Sequence, residues 1–343
     1  MESAIPTHLL TRRTRQTRLP QDYTPPYPSF VARFTPGVKR VAMAYFGLQY
    51  RDEAPDEATS SLDQMSGALS TEHGPGHWDR AIYIDEAGYT NVITIAYWDG
   101  VEVFDAWFAL HGGNWTADDR AHDGVGYFTE VLRPRIGDFE TLFSANNRSE
   151  GIAVLAEGMS DMVLEHAYWG GARDRIPRSQ TDDMAPVGSP RVVAEEARRR
   201  VIPHKNLCLI RSGQDWSDTG AKERRMYLQD VEPVLRQGMD FLRDDGLSLG
   251  CFANRYMRVL DRRGEITDKS FGMSLWESLA ALESWAESHP THVAIFAAAM
   301  KHLSTLGPAA QLKLYHEVTV ATADEQFFEY LNCHDSTGML RAR

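Results

Sequence analysis

The apolar residues of this chain fall into short, distinct patterns that predict its elements. Residues 38–50 form a strand-like run, and residues 91–98 form a second. Between them, acidic residues and Pro55 open a helical stretch to about Leu69. Residues 101–109 fit a short amphipathic helix, and residues 125–132 a third strand. The second half restarts with a strand over 201–212. A long helix follows over about 218–244, with Leu228, Val231, Leu235, Met239 and Leu242 at helical spacing. Pro233 sits inside that pattern and predicts a kink or a break. Residues 250–260 and 265–273 flank a turn at 261–264 and read as a hairpin. Helices over 276–287 and 291–303, a strand over 312–320 and a helix over 324–331 complete the prediction.

Organisation follows from the breakers. Pro20, Pro25, Pro26 and Pro28 forbid a helix near the start, so residues 1–30 read as an extended arm. Pro177, Pro186, Gly188 and Pro190 mark a long loop that separates residues 31–190 from 191–343. A weak repeat supports that division. Tyr97-Trp98 is followed nine residues later by Trp107, and Leu275-Trp276 nine residues later by Trp285. Downstream, residues 127–131 match 314–318. The expected fold class is α+β: two ferredoxin-like halves whose antiparallel sheets pack together, of the dimeric α/β-barrel type, with helices around them.

Composition narrows the function classes. The 343 residues are 43% hydrophobic, too apolar for a disordered chain. Lys and Arg number 36 against 48 Asp and Glu, a net charge of −12, so no basic surplus is available to displace phosphate counterions, and no nucleic acid is expected. No apolar run approaches the roughly 20 residues of a membrane span. Cys208, Cys251 and Cys333 are sparse and odd in number, against a disulfide framework and without a CxxC. Arg12, Arg13, Arg15 and Arg18 are not followed by an apolar core of a secretory signal. A cytoplasmic protein is expected.

Phosphate loops and HExxH are absent from the sequence, and no GxSxG elbow of strand, turn and helix is expected. Five segments remain. His292 opens a helix on the same side as Ile295, Phe296 and Ala299, where a neutral imidazole in a dry wall suits an axial haem ligand; an ordinary first-turn histidine has the same signature. His316 alternates with Leu314 and Val318, as a core histidine or a tuned proton donor would. Ser212, read as a strand end, either lines a cleft or caps the next helix with Asp215. Arg173 and Arg175, after the aromatics at 166–169, either pair with a carboxylate or stay exposed. Glu140 lies among apolar residues at 139–143 and, if buried, requires a cationic partner. These patterns do not select a reaction.

The same segments resemble the haem-dependent aldoxime dehydratases. The likeness runs in one order through residues 1–5, 23–26, 124–128, 139–142, 166–170, 179–182, 210–216, 238–243, 285–292, 314–318, 330–334 and 337–341. It implies conversion of an aldoxime, R–CH=N–OH, to a nitrile and water on a non-covalent haem b, active as Fe(II), in the C-terminal half. His292 would be the proximal ligand. The substrate would bind ferrous iron through its oxime nitrogen, and His316 would protonate the departing hydroxyl. Ser212 would orient that hydroxyl, with Arg175 and Glu140 on the same distal side. Family precedent is a homodimer acting on a small aldoxime, without nucleic acid or membrane. Ala297, Ala298, Ala299 and Ser29 stand where bulkier residues are usual, Asp183 replaces an aromatic, and the 292–316 stretch is about three residues longer. Smaller residues suggest a roomier pocket open to arylaliphatic oximes. The alternatives are a haem peroxidase or chlorite-decomposing enzyme on a related barrel, which needs the same proximal histidine but not the Ser212/His316 pair, or a non-catalytic haem protein.

Overall fold

A computed structural model describes residues 1–342. Its strands are β1 (Ala32–Arg33), β2 (Ala42–Tyr50), β3 (His77–Ile84), β4 (Thr90–Trp98), β5 (Gly126–Leu132), β6 (Phe139–Phe143) and β7 (Gly158–Met159). They continue as β8 (Arg191–Glu195), β9 (Arg198–Ile202), β10 (Leu207–Asp215), β11 (Cys251–Leu260), β12 (Ile266–Trp276), β13 (Lys313–Ala321) and β14 (Gln326–Leu331). Its α-helices are α1 (Asp56–Leu69), α2 (Val101–Trp115), α3 (Gly171–Arg175), α4 (Ala221–Met226), α5 (Glu232–Asp245), α6 (Leu279–Ser288) and α7 (Pro290–Leu306). Among the described residues no helix is long and apolar enough to cross a membrane.

Twelve strands form one antiparallel sheet in the order β6-β13-β10-β12-β11-β3-β4-β2-β5-β14-β9-β8. Strands β2 to β5, with α1 and α2 between them, lie as β3-β4-β2-β5. Strands β10 to β13, with helices in the same two connections, lie as β11-β12-β10-β13, the same order of equivalents. The two sets join edge to edge, where Arg258, Val259 and Leu260 pair with Ile82, Ala81 and Arg80. They also share a core: Met43, Tyr45 and Ile95 from one set meet Leu209, Phe271 and Met273 from the other. The Trp pairs of the weak repeat occupy equivalent places. Trp98 ends β4 and lies 5.2 Å from Trp107 of α2, while Trp276 ends β12 and lies 5.6 Å from Trp285 of α6.

Several elements differ from expectation, each for a local reason. Residues 324–331 are not a helix: β14 pairs with β5 and β9, and its apolar residues divide between two cores, Phe328 and Tyr330 to one, Phe327 and Leu331 to the other. The strand expected over 201–212 is two strands. Pro203 cannot donate to a ladder, and Asn206 at φ +67° turns the chain before β10 begins. Ser212 therefore sits in mid-strand rather than at a strand end. The long helix breaks near Pro233 through a π-turn at Tyr227–Val231, the wider turn relieving the proline's clash with the preceding carbonyls. Strands β3 and β6 lacked a clean apolar signal and went unpredicted.

A buried ion pair couples the halves. Arg255 on β11 holds Glu130 on β5 through two 2.6 Å bonds, both side chains 2% exposed. Removing one partner strands a buried charge, which costs about 3–5 kcal/mol. Arg255→Ala is expected to lower the urea midpoint accordingly; an unchanged midpoint would show that the pair contributes nothing.

Candidate active site

In the first half, Phe46, Trp98, Phe104 and Trp107 fill the space between sheet and helices. The equivalent space in the second half is open. A cavity of about 620 Å³ lies between β10 and β13 on one side and α5, α6 and α7 on the other. Ile210, Ser212 and Gln214 on β10 and Leu314, His316 and Val318 on β13 face it, every second residue as strand geometry requires. Ser212 and His316 are direct cross-strand partners. Helix α7 contributes His292, Ile295, Phe296 and Ala299 to the opposite wall.

His292 is held in one tautomer. Helix α6 ends at Ser288, leaving the carbonyl of Ala286 among the unpaired C-terminal acceptors. Pro290 then starts α7 at once, and the tight elbow brings His292 back, so that its Nδ1–H donates to that carbonyl at 2.7 Å. Nε2 has no partner among the described residues. Burial, opposed by the Ala286 bond and reinforced by the nearby His316, lowers the pKa of His292 and keeps the ring neutral. Trp285 packs against it tilted, and Trp169 edge-to-face, at centroid distances of 4.7 and 5.8 Å. A neutral imidazole with a bare Nε2 in an apolar cavity meets the demands on an axial ligand. No group of three or more His, Cys, Asp or Glu that could hold a free metal ion exists among the described residues.

Across the cavity, β6 and α3 supply a second cluster. Arg175 grips Glu140 at 2.7 and 3.1 Å, both side chains nearly fully buried. His316 Nε2 lies 3.0 Å from Glu140 Oε1 and 2.8 Å from Arg175 Nη2. That nitrogen has an acceptor when protonated and a donor when not, so both charge states of the ring are provided for. Burial pushes the Glu140 carboxyl up, but the charge of Arg175, and then His316, pull it below the usual carboxylate range. A depressed carboxyl contributes stability above its unfolded value of about 4.3 and loses it as pH falls through the folded value. The melting temperature of the chain is expected to fall more steeply below about pH 4 than that of Glu140→Gln. Parallel acid curves by differential scanning fluorimetry would sink that assignment.

The structure thus brings His292, His316, Ser212 and Arg175 to one cavity, with Glu140 directly behind Arg175 and His316. Arg173 instead pairs with Glu283 at 2.6 Å, and Asp183 pairs with Arg15 outside the cavity.

Comparison with known proteins decides among the readings of such a cavity. The sequence profile of the haem-containing dehydratases matches residues 44–339. The chain belongs to this family. The aliphatic aldoxime dehydratase of Pseudomonas chlororaphis is 43% identical over 99% of this chain and 98% of its own length. The phenylacetaldoxime dehydratase of Bacillus sp. (strain OxB-1) is 34% identical over 94% of this chain and 93% of its own. A crystal structure of an aldoxime dehydratase co-crystallised with butyraldoxime superposes with a TM-score of 0.95 at 42% identity, covering 100% of this chain and 96% of that one. Like the family it joins, this haem-containing dehydratase requires a haem, and the tautomer-locked His292 in an apolar cavity fits one.

Sequence patterns missed two parts of this site. The Ala286 carbonyl is a main-chain group without a side-chain signal. Tyr27 reaches the cavity from the arm, which spacing marked only as extended, beside Ser29, which only the family resemblance had singled out.

Proposed function

We propose that the chain converts aldoximes to nitriles and water on a non-covalent haem b, which the cavity of the C-terminal half would hold through His292. Ferrous haem, when bound, supplies electron density that weakens the N–O bond. The observation that carries the reading is the in-register pair Ser212 and His316 on the wall facing His292. Hydroxide is a poor leaving group, so its oxygen requires a proton as the N–O bond breaks. With Nε2–H given to Glu140, Nδ1 of the His316 imidazolium is free to deliver that proton. The neutral ring then takes the proton from the oxime carbon. One proton thus moves from carbon to oxygen, R–CH=N–OH becomes R–C≡N plus H₂O, and no net electron is consumed. The Ser212 hydroxyl orients the oxime hydroxyl. Arg175 and Glu140 hold His316 in place through its Nε2.

The chain topology supports reading residues 31–190 and 191–343 as ferredoxin-like repeats of dimeric α/β-barrel type, preceded by the arm of residues 1–30. Ala299 and Ser29 on the cavity wall support acceptance of arylaliphatic as well as alkyl oximes. The family resemblance carries the further reading of a cytoplasmic homodimer, which light scattering on the purified protein tests.

The deciding experiment is anaerobic addition of butyraldoxime and phenylacetaldoxime to the dithionite-reduced, hemin-loaded protein. A Soret shift with stoichiometric nitrile is expected for both. A protein that takes up no hemin, or binds it without making nitrile, overturns the reading. Strict preference for short alkyl oximes would overturn only the wider pocket. A peroxidase or chlorite-decomposing enzyme leaves the Ser212/His316 pairing without a task.

A further inference from the structure

The arm carries no group assigned above to proton transfer, yet it is tied along its length to the segment that bears Arg175. Asp174 is the hub of that attachment, and its side chain is 2% exposed. Its Oδ2 accepts from the Thr17 hydroxyl at 2.8 Å, the Arg18 main-chain N–H at 2.9 Å and the Tyr168 hydroxyl at 2.9 Å. Such bonds to a buried carboxylate are individually strong and directional. Gly170 makes room for this seating: at φ +93°, a Cβ there would lie 2.2 Å from Cδ of Arg18. The Arg18 guanidinium continues to Glu287 on α6, at 3.6 Å.

Beyond this latch the arm crosses to a second anchor. The Tyr23 hydroxyl donates to the carbonyls of His166 and Ala167, 2.9 Å from each. Phe30 exchanges main-chain bonds with Phe143 at 2.9 and 2.8 Å. Tyr27 and Ser29, between the two anchors, face the cavity.

We propose that Asp174 is a positioning residue for substrate binding: it latches the arm so that Tyr27 and Ser29 complete the cavity wall. This rests on the cavity being the aldoxime site. Arg175 keeps its own ion pair with Glu140, so loss of the latch leaves the proton-handling groups in place and acts on binding.

Trypsin reads the latch directly, because Arg12, Arg15 and Arg18 are exposed arm residues. In hemin-loaded Asp174→Ala, cleavage at these arginines is expected about tenfold faster than in the wild type, with the body of the chain intact. KM for butyraldoxime is expected to rise about tenfold, a change of about 1.4 kcal/mol, while kcat and the Soret band stay as in the wild type. Asp174→Asn keeps an acceptor oxygen and is expected to fall between the two. Tyr27→Ala is expected to raise KM without faster arm cleavage. If Asp174→Ala does not fold, Thr17→Val removes one donor from the arm side, and about fivefold changes in both readouts are expected, the worth of one ordinary hydrogen bond. Wild-type cleavage rates, a released arm with unchanged KM, or a loss confined to kcat would each overturn the proposal. A wild type that makes no nitrile overturns the functional reading instead, and the trypsin comparison still decides the latch.

Discussion

His292→Ala is expected to fold, to lose hemin affinity by more than 100-fold and to make no nitrile. The expectation rests on how little else in the cavity could take its place. The walls are apolar, and no cluster of ligating side chains lies among the described residues. His316, the other imidazole, has its Nε2 engaged by Glu140 and Arg175. Loss of an outer partner of a metal-bound histidine commonly costs about 10–100-fold in affinity, and loss of the ligand itself exceeds that range. The fold should survive, because His292 is only partly buried and its single hydrogen bond is to a carbonyl at a helix end. Hemin titration followed at the Soret band, with circular dichroism as the folding control, measures both. Adding imidazole to His292→Gly, which leaves a hole of the right shape, should restore part of the band. Hemin binding by His292→Ala at wild-type affinity would move the axial ligand elsewhere and with it the site.

What made His292 legible in the sequence was its side of the helix: Ile295, Phe296 and Ala299 share its face at helical spacing, and all four line one cavity. His316 was legible through period-two alternation with Leu314 and Val318. Ser212 was legible only as a candidate, because β10 begins later and runs further than its apolar pattern suggested. Its pairing with His316 depends on register between strands about a hundred residues apart, which no local pattern encodes. The Glu140–Arg175 contact is of the same kind. Burial of Glu140 implied a cation, and two arginines of the 171–175 segment were available; only tertiary packing sends Arg175 to Glu140 and Arg173 to Glu283. At the level of elements, the helix expected at 324–331 failed because β14 is a central strand buried on both faces, and a run of aromatics without clean alternation reads equally as helix. The repeat of Trp pairs survived folding because each indole closes the corner between a strand end and the helix that follows.

His316→Ala is expected to retain the Soret band of the loaded protein while nitrile formation falls by about 10²–10⁴-fold, the range in which a positioned general acid contributes. Removing the ring deletes the one group on that wall able to exchange a proton with both the hydroxyl and the carbon of the oxime. Ser212→Ala should also keep the haem and lose rate, through disorder of the hydroxyl rather than loss of the proton. If the two act on one oxygen, their effects overlap, and the double variant should be scarcely slower than His316→Ala alone. Full additivity would assign them separate tasks. The companion test lies behind the ring: Glu140→Gln replaces the carboxylate against Nε2 with a neutral amide, which weakens the charge-assisted hold on the ring. Its kcat is therefore expected to fall while the Soret band of the loaded protein stays as in the wild type. Wild-type turnover in Glu140→Gln would remove Glu140 from the positioning of the ring, and wild-type turnover in His316→Ala would remove His316 from the proton path and leave the leaving hydroxide without a donor on this wall.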